Sequence, residues 1–284
     1  RALALALFSL GVPVGSTLGL VLGGWINDVL DWRAAFFVVG LPGLALAALA
    51  WFALPDPPKA IAPKPDAAPF LATLRLLWAI PSMRHMALGS AFYACGSYAI
   101  NVFAPAFLMR VHGMTSSQAG LGMGVVFGVG GLIGTFAGGW FGDRLARRSE
   151  GWRLGVPALG QALSLPTALG AWLVADPGLA IGLLTVSYMF GLLYFAPTFA
   201  AAQALVPDRI RATTSAVLLF CLTILGSSVG PLAVGAISDA LQPQYGAFAL
   251  RYAMCAMAVT MALSAVFFLL GARRLPGDLR ETRA

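Results

Sequence analysis

Residues 139–148 read Gly-Trp-Phe-Gly-Asp-Arg-Leu-Ala-Arg-Arg, and they close a stretch, 113–142, that contains no Asp, Glu, Lys or Arg. About 20 apolar residues in a helix are enough to cross the hydrocarbon core of a bilayer. The stretch therefore predicts a membrane-spanning helix. Its charged end is expected at the cytoplasmic face, because Lys and Arg accumulate on that side of a membrane.

The rest of the chain repeats this pattern of long apolar stretches with charged ends. The chain has 284 residues, of which 59% are hydrophobic and 10% charged, and its mean hydropathy is +0.84. A soluble domain carries about 25% charged residues, so lipid must solvate much of this surface. We predict an all-α polytopic membrane protein. Eight transmembrane helices are expected, near residues 2–26, 34–54, 86–109, 117–141, 154–175, 178–206, 213–237 and 247–271.

The basic residues predict the orientation. If the connection after the second span is cytoplasmic, every Lys and Arg falls on the cytoplasmic side except Arg33, Arg110 and Arg251. This is the bias expected of an integral membrane protein, here of a bacterial inner membrane with both ends of the chain cytoplasmic. The net charge of +7 reflects these clusters. No basic stripe with interleaved aromatics is present, so we expect no nucleic-acid partner.

One segment rich in Pro and Lys divides the spans unequally. It begins at Pro55 and cannot form a regular helix. The amphipathic stretch that follows, from Phe70 with Arg75 and Trp78, suits a helix in the membrane interface. The predicted organisation is two helices in 1–54, a cytoplasmic linker in 55–82, a six-helix bundle in 83–272 and a cytoplasmic tail in 273–284.

Two spans carry the same pattern at a constant offset, which indicates an internal duplication. The first span would then be the fifth helix of one six-helix half, and the seventh span its counterpart. The chain is thus expected to be truncated at its N-terminus, with the last two helices of the N-terminal bundle and a complete C-terminal bundle. The aligned strings are Gly15-Ser16-Thr17-x-Gly19 with Gly226-Ser227-Ser228-x-Gly230, and Gly24-x-Ile26-x-Asp28 with Gly235-x-Ile237-x-Asp239.

The opening motif resembles the pattern G-x-x-x-D-R-x-G-R-R of the major facilitator superfamily, which lies between the second and third helices of each half. The matching residues are Gly139, Asp143, Arg144, Arg147 and Arg148, and Ala146 replaces the usual Gly. A carboxylate there can pair with a nearby Arg, or with the positive N-terminus of a helix in the facing bundle. We therefore expect a cytoplasmic gate that latches when this side closes. The alternative is a solvated turn.

A second motif resembles the glycine pattern G-x-x-x-G-P-x-x-G-G in the fifth helix of exporters from this superfamily. Leu20 takes the place of Pro in the first span, whereas the repeat retains Pro231. Small residues at this spacing let helices pack closely. Plain packing and a role in coupling are both compatible with them. The glycines assigned to this role are Gly15, Gly19, Gly23, Gly24, Gly226 and Gly230, and a further set recurs at Gly130, Gly134, Gly138 and Gly142.

The first 55 residues also look like spinster-type members of the superfamily. The resemblance lies in RALALALFSLGVPVGSTLGLVLGGWI and in DWRAAFFVVGLPG. It implies an amphipathic lipid substrate, such as a lysophospholipid or a sphingoid phosphate.

Polar residues within the spans are candidates for a substrate cavity, because they are costly in lipid and face a protein interior or water. By family analogy the third span lines the central cavity. Each candidate has an alternative, since Ser and Thr back-bond to their own helix and Tyr sits at interfaces. The candidates are Tyr93, Ser97, Asn101, Tyr188, Tyr194, Thr223 and Ser227.

Residue patterns that the sequence lacks argue against several classes of protein. None of the eleven carboxylates lies at mid-span, so the group that would couple transport to protons is expected in the missing helices. Cys95, Cys221 and Cys255 stand alone, and no metal or cofactor is expected. An enzyme is disfavoured because no HExxH, GxSxG or paired-carboxylate site occurs.

The predicted function is secondary active transport of a small amphipathic molecule by alternating access, by a protein that is a monomer when full length. The partners are that substrate, membrane lipids and protons as the candidate coupling ion. A drug or metabolite exporter of the same superfamily and a non-transporting scaffold or inactive truncation remain as alternatives.

Overall fold

The computed structural model describes residues 2–53 and 70–283, with side chains for 15–53 and 74–282; residues 54–69, which include the first part of the predicted linker, lie outside this description. The described chain is almost entirely helical. Short 3₁₀ turns connect some helices, at Asp208–Ile210 and Gly246–Phe248. The helices are α1 (Ala2–Val29), α2 (Trp32–Ala53), α3 (Phe70–Ala79), α4 (Pro81–His112), α5 (Ser116–Val125), a π turn (Val126–Gly130), α6 (Gly131–Ala146), α7 (Trp152–Leu173), α8 (Pro177–Leu192), α9 (Phe195–Ala204), α10 (Arg211–Tyr245), α11 (Ala249–Ala256) and α12 (Ala258–Arg283).

The all-α prediction is confirmed, and each of the eight predicted spans corresponds to a helical segment of the described chain. These segments are α1, α2, α4, α5 with α6, α7, α8 with α9, α10, and α11 with α12. Five stretches of the described residues are long and apolar enough to cross a membrane, and the last of them contains both α10 and α12. They are Trp32–Ala53, Pro81–His112, Ser116–Ala146, Pro177–Ala204 and Asp208–Thr282.

Paired residues on neighbouring helices show the direction of each helix. Along α4 and α10 the residue numbers of the pairs rise together, so these helices are parallel. Along α4 and α12 one number rises as the other falls, so these are antiparallel. The pairs are Ala94–Gly226 and Phe103–Gly235 for α4 with α10, and Ser82–Asp278 and Gly89–Ser264 for α4 with α12. Alternation of this kind is what successive membrane spans produce.

Four glycines place the backbone of the fourth span against that of α8 and α9. A Cβ at Gly138 would lie 2.7 Å from the carbonyl oxygen of Leu193, so a side chain has no room there. Both partners advance by four residues at each step, and the helices therefore run parallel in one fixed register. The pairs are Gly130–Thr185, Gly134–Met189, Gly138–Leu193 and Gly142–Pro197. Close packing by this glycine set, predicted from its spacing, is confirmed.

The six helical segments after the linker enclose two apolar clusters, one toward each end of the bundle. One contains Phe107 and Trp172, whose rings are 5.0 Å apart and perpendicular. The other contains Leu154 and Phe268, both fully buried. We call the first end the Asp28 end and the second the Asp143 end, after one carboxylate that lies at each.

The turn between α4 and α5 is sharply defined. Gly113 ends α4 with φ +67°, a left-handed conformation that favours glycine. Thr115 then begins α5 as a capping box, in which its hydroxyl accepts a hydrogen bond from the Gln118 backbone N–H, and the Gln118 side chain accepts one from the Thr115 N–H. This turn fixes the start of α5 at the Asp28 end.

The amphipathic stretch predicted in the second part of the linker is a helix, α3. Its Leu77 is buried in the cluster at the Asp143 end, while Arg75 and Trp78 are exposed. Helix α12 continues through the predicted tail to Arg283. The Asp278 carboxylate accepts a 2.7 Å hydrogen bond from the Ser82 N–H, which attaches this extension to the start of α4.

Candidate functional site

A pair of tyrosine rings joins the third and sixth spans. The ring centroids of Tyr93 and Tyr194 are 4.4 Å apart at an interplanar angle of 46°, and both side chains are buried. The Tyr194 ring also lies 6.0 Å from that of Phe268 on α12. The structure thus brings together two of the predicted cavity residues, at a point where the third, sixth and eighth spans meet.

Tyr194 occupies a break in the sixth span, where the sequence predicted a continuous helix. Helix α8 ends at Leu192 and α9 begins at Phe195. Pro197 explains the break, because proline lacks an N–H and its ring clashes with the carbonyl four residues earlier, here that of Leu193. The side chain of Tyr194 is therefore held by a local bend and not by a regular helical face.

Tyr188 lies beside the π turn in the fourth span. Its ring is half-buried and T-shaped against Phe127, with centroids 4.9 Å apart. In the same turn, a Cβ at Gly128 would lie 3.0 Å from the Thr17 hydroxyl on α1. Isolated π turns are frequent at functional sites. Here the turn is the point at which α8, the fourth span and α1 meet.

Tyr98 belongs to the same region but was missed from the sequence. Its ring faces α10, where a Cβ at Gly226 would lie 2.7 Å from Cδ2. Tyr98 is one position beyond Ser97, about 100° around the helix from the predicted polar face. A search for aromatic residues facing the repeat glycines, and not for one polar face, would have found it.

The remaining cavity candidates are not members of the tyrosine pair. Ser97 lies one turn after Tyr93 on α4 and is half-buried, whereas Asn101, Thr223 and Ser227 are exposed on α4 and α10. The Asn101 amide donates a 3.0 Å hydrogen bond to the Ser97 carbonyl oxygen, one turn earlier in its own helix. The three exposed residues lie on two helices that contact each other at Gly226.

The residues of the predicted gate motif end α6. Gly139 is half-buried, and a Cβ there would meet only Ala196 at 3.8 Å. The four charged side chains that follow are exposed, and none of them forms an ion pair within the described part of the chain. They are Asp143, Arg144, Arg147 and Arg148. The Arg144 guanidinium instead lies over Trp140, 5.5 Å from the ring centroid. A latch at Asp143 stays a prediction.

The motif glycines of α1 and α10 have unlike surroundings. At Gly226 and Gly230 the backbone packs directly against α4. By contrast, a Cβ at Gly15, Gly19 or Gly23 would meet no atom of the described structure within 4 Å. The repeat pairs Gly15 with Gly226 and Gly19 with Gly230. Only the α10 member of each pair is covered by another helix of the described structure.

Gly24 belongs to a tight junction between α1 and α5. A Cβ at Gly24 would lie 2.6 Å from the Ser116 carbonyl oxygen, and one at Gly120 would lie 2.5 Å from the Leu20 carbonyl oxygen. One turn beyond Gly24, the Asp28 carboxylate accepts a 2.7 Å hydrogen bond from the Ser117 N–H. The carboxylate thereby caps the N-terminus of α5 from a different helix of the chain.

The electrostatics of Asp28 follow from this contact. Asp28 lies beyond the apolar part of α1, which ends at Ile26, and it is exposed to water. Hydrogen bonds from the Ser117 side chain and backbone, with smaller ones from Thr115 and Ser116, lower the pKa of the carboxyl from its usual 3.8. Asp28 is thus held as an anion at the positive end of a helix.

No metal centre is evident within residues 2–53 and 70–283, where no three His, Cys, Asp or Glu side chains gather. The cysteines Cys95, Cys221 and Cys255 are free thiols.

The fold, the motif at the end of α6 and the repeated glycine helices are those of a known group of transporters. A model of the Major Facilitator Superfamily matches residues 1–231 and, a second time, residues 86–284. The chain belongs to the Major Facilitator Superfamily. Two overlapping matches to one model agree with the internal duplication. Members of this superfamily are transporters, and the chain is not expected to be an enzyme.

Individual relatives are of several kinds, and a probable sugar efflux transporter of Helicobacter pylori is 31% identical over 52% of this chain and 35% of its own length. An MFS-type efflux pump of Mycolicibacterium smegmatis is 34% identical over 99% of this chain and 66% of its own length. Spinster homolog 1 of Bos taurus is 27% identical over the whole chain and 59% of its own length. The chain thus spans about three-fifths to two-thirds of the last two relatives, which include the predicted spinster type.

A solved structure also matches. A bacterial homologue of the human lysosomal transporter spinster, inward-facing and unoccupied, has a TM-score of 0.84 and 25% identity, over 98% of this chain and 72% of that one. The same kind of protein in an occupied, inward-facing conformation has a TM-score of 0.81 at 23% identity.

Proposed function

We propose that the protein is a secondary active transporter that moves a small amphipathic molecule by alternating access. The observation that carries the proposal is the junction between α1 and α5. It combines close backbone contacts at Gly24 and Gly120 with apolar packing by Leu20 and Val21, and the exposed carboxylate of Asp28 closes its end. A transporter that works by alternating access must make and break a contact of this kind between its two bundles.

The tyrosine pair supports an amphipathic substrate. Tyr93, Tyr194 and Phe268 form a buried aromatic cluster that carries two phenolic hydroxyls. A mostly apolar site with few polar groups suits a ligand with an apolar body and a small polar head. The resemblance of the first 55 residues to spinster-type transporters also supports a lysophospholipid-like molecule.

The coupling group is proposed to lie in helices that precede residue 1 in the full-length protein. Proton-coupled carriers need a titratable group within the membrane. The carboxylates of the described residues lie near helix ends, as Asp28, Asp143 and Asp239 illustrate. Protons remain the candidate coupling ion, and the full-length protein is proposed to act as a monomer.

The proposed orientation places the Asp143 end, and both ends of this chain, in the cytoplasm of a bacterium. It rests on the distribution of Lys and Arg. Single cysteines at Arg147 and at Asp31 test it with a membrane-impermeant maleimide on intact cells. The Asp31 position should react and the Arg147 position should not. The reverse result would overturn the orientation.

Transport itself is tested with the full-length protein in proteoliposomes under a proton gradient. We expect saturable movement of a fluorescent lysophosphatidylethanolamine, lost in the Tyr194→Ala variant but retained with Thr167→Ala, because the half-buried Thr167 hydroxyl bonds within its own helix α7. Transport of a sugar with no movement of the lysolipid would refute the substrate class. No flux of any solute would favour a non-transporting scaffold.

A second candidate is export of a drug or metabolite. The observation that favours it is the 34% identity to an efflux pump, which exceeds the identity to the spinster homologues. A panel of cationic and neutral dyes in the same vesicles separates the two functions. Faster flux of the dyes than of the lysolipid would select this candidate.

A further inference from the structure

An apolar groove with a volume of about 550 Å³ runs between α7 and α12. Small residues from both helices line it, so no large side chain fills the space between the two backbones. The large apolar residues that line it are exposed. The small residues include Gly155, Ala162 and Ala265, and the exposed ones are Trp152, Leu159, Val266 and Leu269. The groove therefore offers an accessible apolar surface on which a hydrocarbon chain can pack.

The two helices that form the groove are antiparallel. A Cβ at Gly151 would lie 2.7 Å from the Ala272 carbonyl oxygen, and further along α7 the Ser164 hydroxyl lies 3.9 Å from the Met261 sulfur. From Gly151 to Ala162 the groove follows α7 for about 17 Å at 1.5 Å per residue. Half of a hydrocarbon core of about 30 Å is similar. The groove therefore has the depth of one leaflet of the bilayer.

The end of the groove at Gly151 is polar and cationic. Ser149 and Arg273 line this end and are both exposed, and Arg273 is the one charged side chain among the described residues that line the groove. The neighbouring Glu150 carboxylate is bound by Arg153 at 2.7 Å, so its charge is compensated within the turn before α7. The groove thus combines an apolar length with a positive charge at one end.

Trp152 places this cationic end at the level of the lipid headgroups. Tryptophan is enriched at both interfaces of a membrane, where its ring is part apolar and part polar. The exposed Trp152 indole lies along the groove, because a Cβ at Gly155 would be only 2.9 Å from its Cε3 atom. Arg273 therefore stands where a lipid phosphate would be, at the Asp143 end of the bundle.

The groove is separate from the described contact between the two halves of the transporter. Helix α1 packs against α5 at Gly24 and against the π turn at Gly128, and neither of these elements lines the groove. Lipid chains are the solvent of an apolar surface at this depth. Among lipids, a single cation at the headgroup level favours those with net negative charge.

We propose that the groove between α7 and α12 binds one anionic phospholipid, with an acyl chain along Gly155 and Ala162 and its phosphate at Arg273. A zwitterionic lipid fits the apolar part equally well, but its ammonium group opposes Arg273. This lipid is a bound component of the membrane and not the transported solute. The inference therefore does not depend on which solute the protein moves.

The test uses the full-length protein in phosphatidylcholine vesicles that contain increasing fractions of a lipid with brominated acyl chains, which quench nearby tryptophan fluorescence. The signal of Trp152 is the difference between the parental protein and Trp152→Phe. We expect brominated phosphatidylglycerol to bind about fivefold more strongly than brominated phosphatidylcholine, which is the effect of one Arg at the membrane surface.

Arg273→Gln should remove this preference for phosphatidylglycerol. Arg274→Gln is the matched control, because Arg274 is the next residue and is exposed but does not line the groove. It should retain the preference. Equal losses in the two variants would show a general attraction to the basic surface and overturn the proposal.

Ala162→Phe should obstruct the groove and reduce the quenching of Trp152 by phosphatidylglycerol at least twofold. Leu163→Phe, a change at the adjacent exposed position outside the groove, should leave the quenching unchanged. Thermal unfolding of each variant shows that it is folded. Equal quenching in these two variants would contradict the proposal. If neither brominated lipid quenches Trp152 in the parental protein, a protein surface covers the groove and the proposal is wrong.

Discussion

The ring of Tyr93 packs onto the bare backbone of Gly191, so closely that a Cβ at Gly191 would lie 2.9 Å from Cε2 of the ring. The carbonyl oxygen of Gly191 accepts a 2.9 Å hydrogen bond from the buried Gln161 amide on α7. Gly191 thus sets the distance between three spans and, through Tyr93, the position of the tyrosine pair.

Gly191→Ala should displace the Tyr93 ring. Overpacking of a filled core costs about 1–3 kcal/mol, and we expect a lower unfolding temperature together with a raised KM for the transported solute. Gly182→Ala is the matched control on α8, because a Cβ there meets nothing within 4 Å. It should be neutral or stabilising, since alanine favours a helix over glycine by about 1 kcal/mol. Equal behaviour of the two variants in unfolding and transport assays would contradict this.

Gly138→Ala should push α6 away from the segment between α8 and α9 that contains Leu193. The new methyl group would press on the Leu193 carbonyl, while at the next position a Cβ on Gly139 meets Ala196 at an ordinary 3.8 Å. We therefore expect Gly138→Ala to lower the unfolding temperature in detergent and Gly139→Ala to leave it unchanged. If Gly139→Ala were the more harmful, the motif glycine would act in the gate and not through packing.

Asp143→Asn should alter the conformational equilibrium of the full-length protein without unfolding it. The exposed carboxylate has no partner among the described residues, so its loss removes no contact inside this bundle. Faster labelling of a cavity cysteine from the Asp143 end, with reduced transport, is expected if it latches the facing bundle. Asp208→Asn, which breaks a surface pair with Arg211 at 3.0 Å, is the control. Unchanged transport in Asp143→Asn would remove the latch hypothesis.

Closure at the Asp28 end should weaken in acid. The capped form of Asp28 has a pKa below 3.8, and release of the cap returns it toward that value. The carboxylate therefore stabilises the closed state fully above about pH 5, and this stabilisation is lost as the pH falls through the lowered pKa. Maleimide reacts with the thiolate, so the labelling rate of a cavity cysteine from this end is compared at each pH with the rate in the Asp28→Asn variant. The ratio of the parental rate to the variant rate should be constant between about pH 5 and 8 and rise toward one below about pH 4.

Much of the architecture could be predicted because lipid imposes a strong constraint on sequence. Spans must be long, apolar and helical, so their number follows from hydropathy. The glycine ladder at Gly130, Gly134, Gly138 and Gly142 was also visible, since a spacing of four residues keeps small residues on one helix face. The all-α fold and the superfamily therefore follow from the chain itself.

The candidate site was harder to predict, because its residues come from breaks and not from periodic faces. Tyr194 projects from a bend that Pro197 produces three residues later, and a continuous helix would have aimed it elsewhere. Tyr98 lies off the polar face of α4 but against Gly226. Asp28 carried no signal beyond its match to Asp239, because its partner is a backbone N–H, which any sequence supplies.

The constant register between α6 and its partners limits how this bundle can move. Main chains that touch at one glycine per turn cannot slide gradually, because each small step would drive a carbonyl group into a neighbouring Cα. The next permitted alignment lies four residues away, a jump of about 6 Å along the axis. Small displacements along the axis are therefore disfavoured, and we expect the fourth span to move together with α8 and α9 as one unit, from Asp143 at one end to Tyr188 at the other.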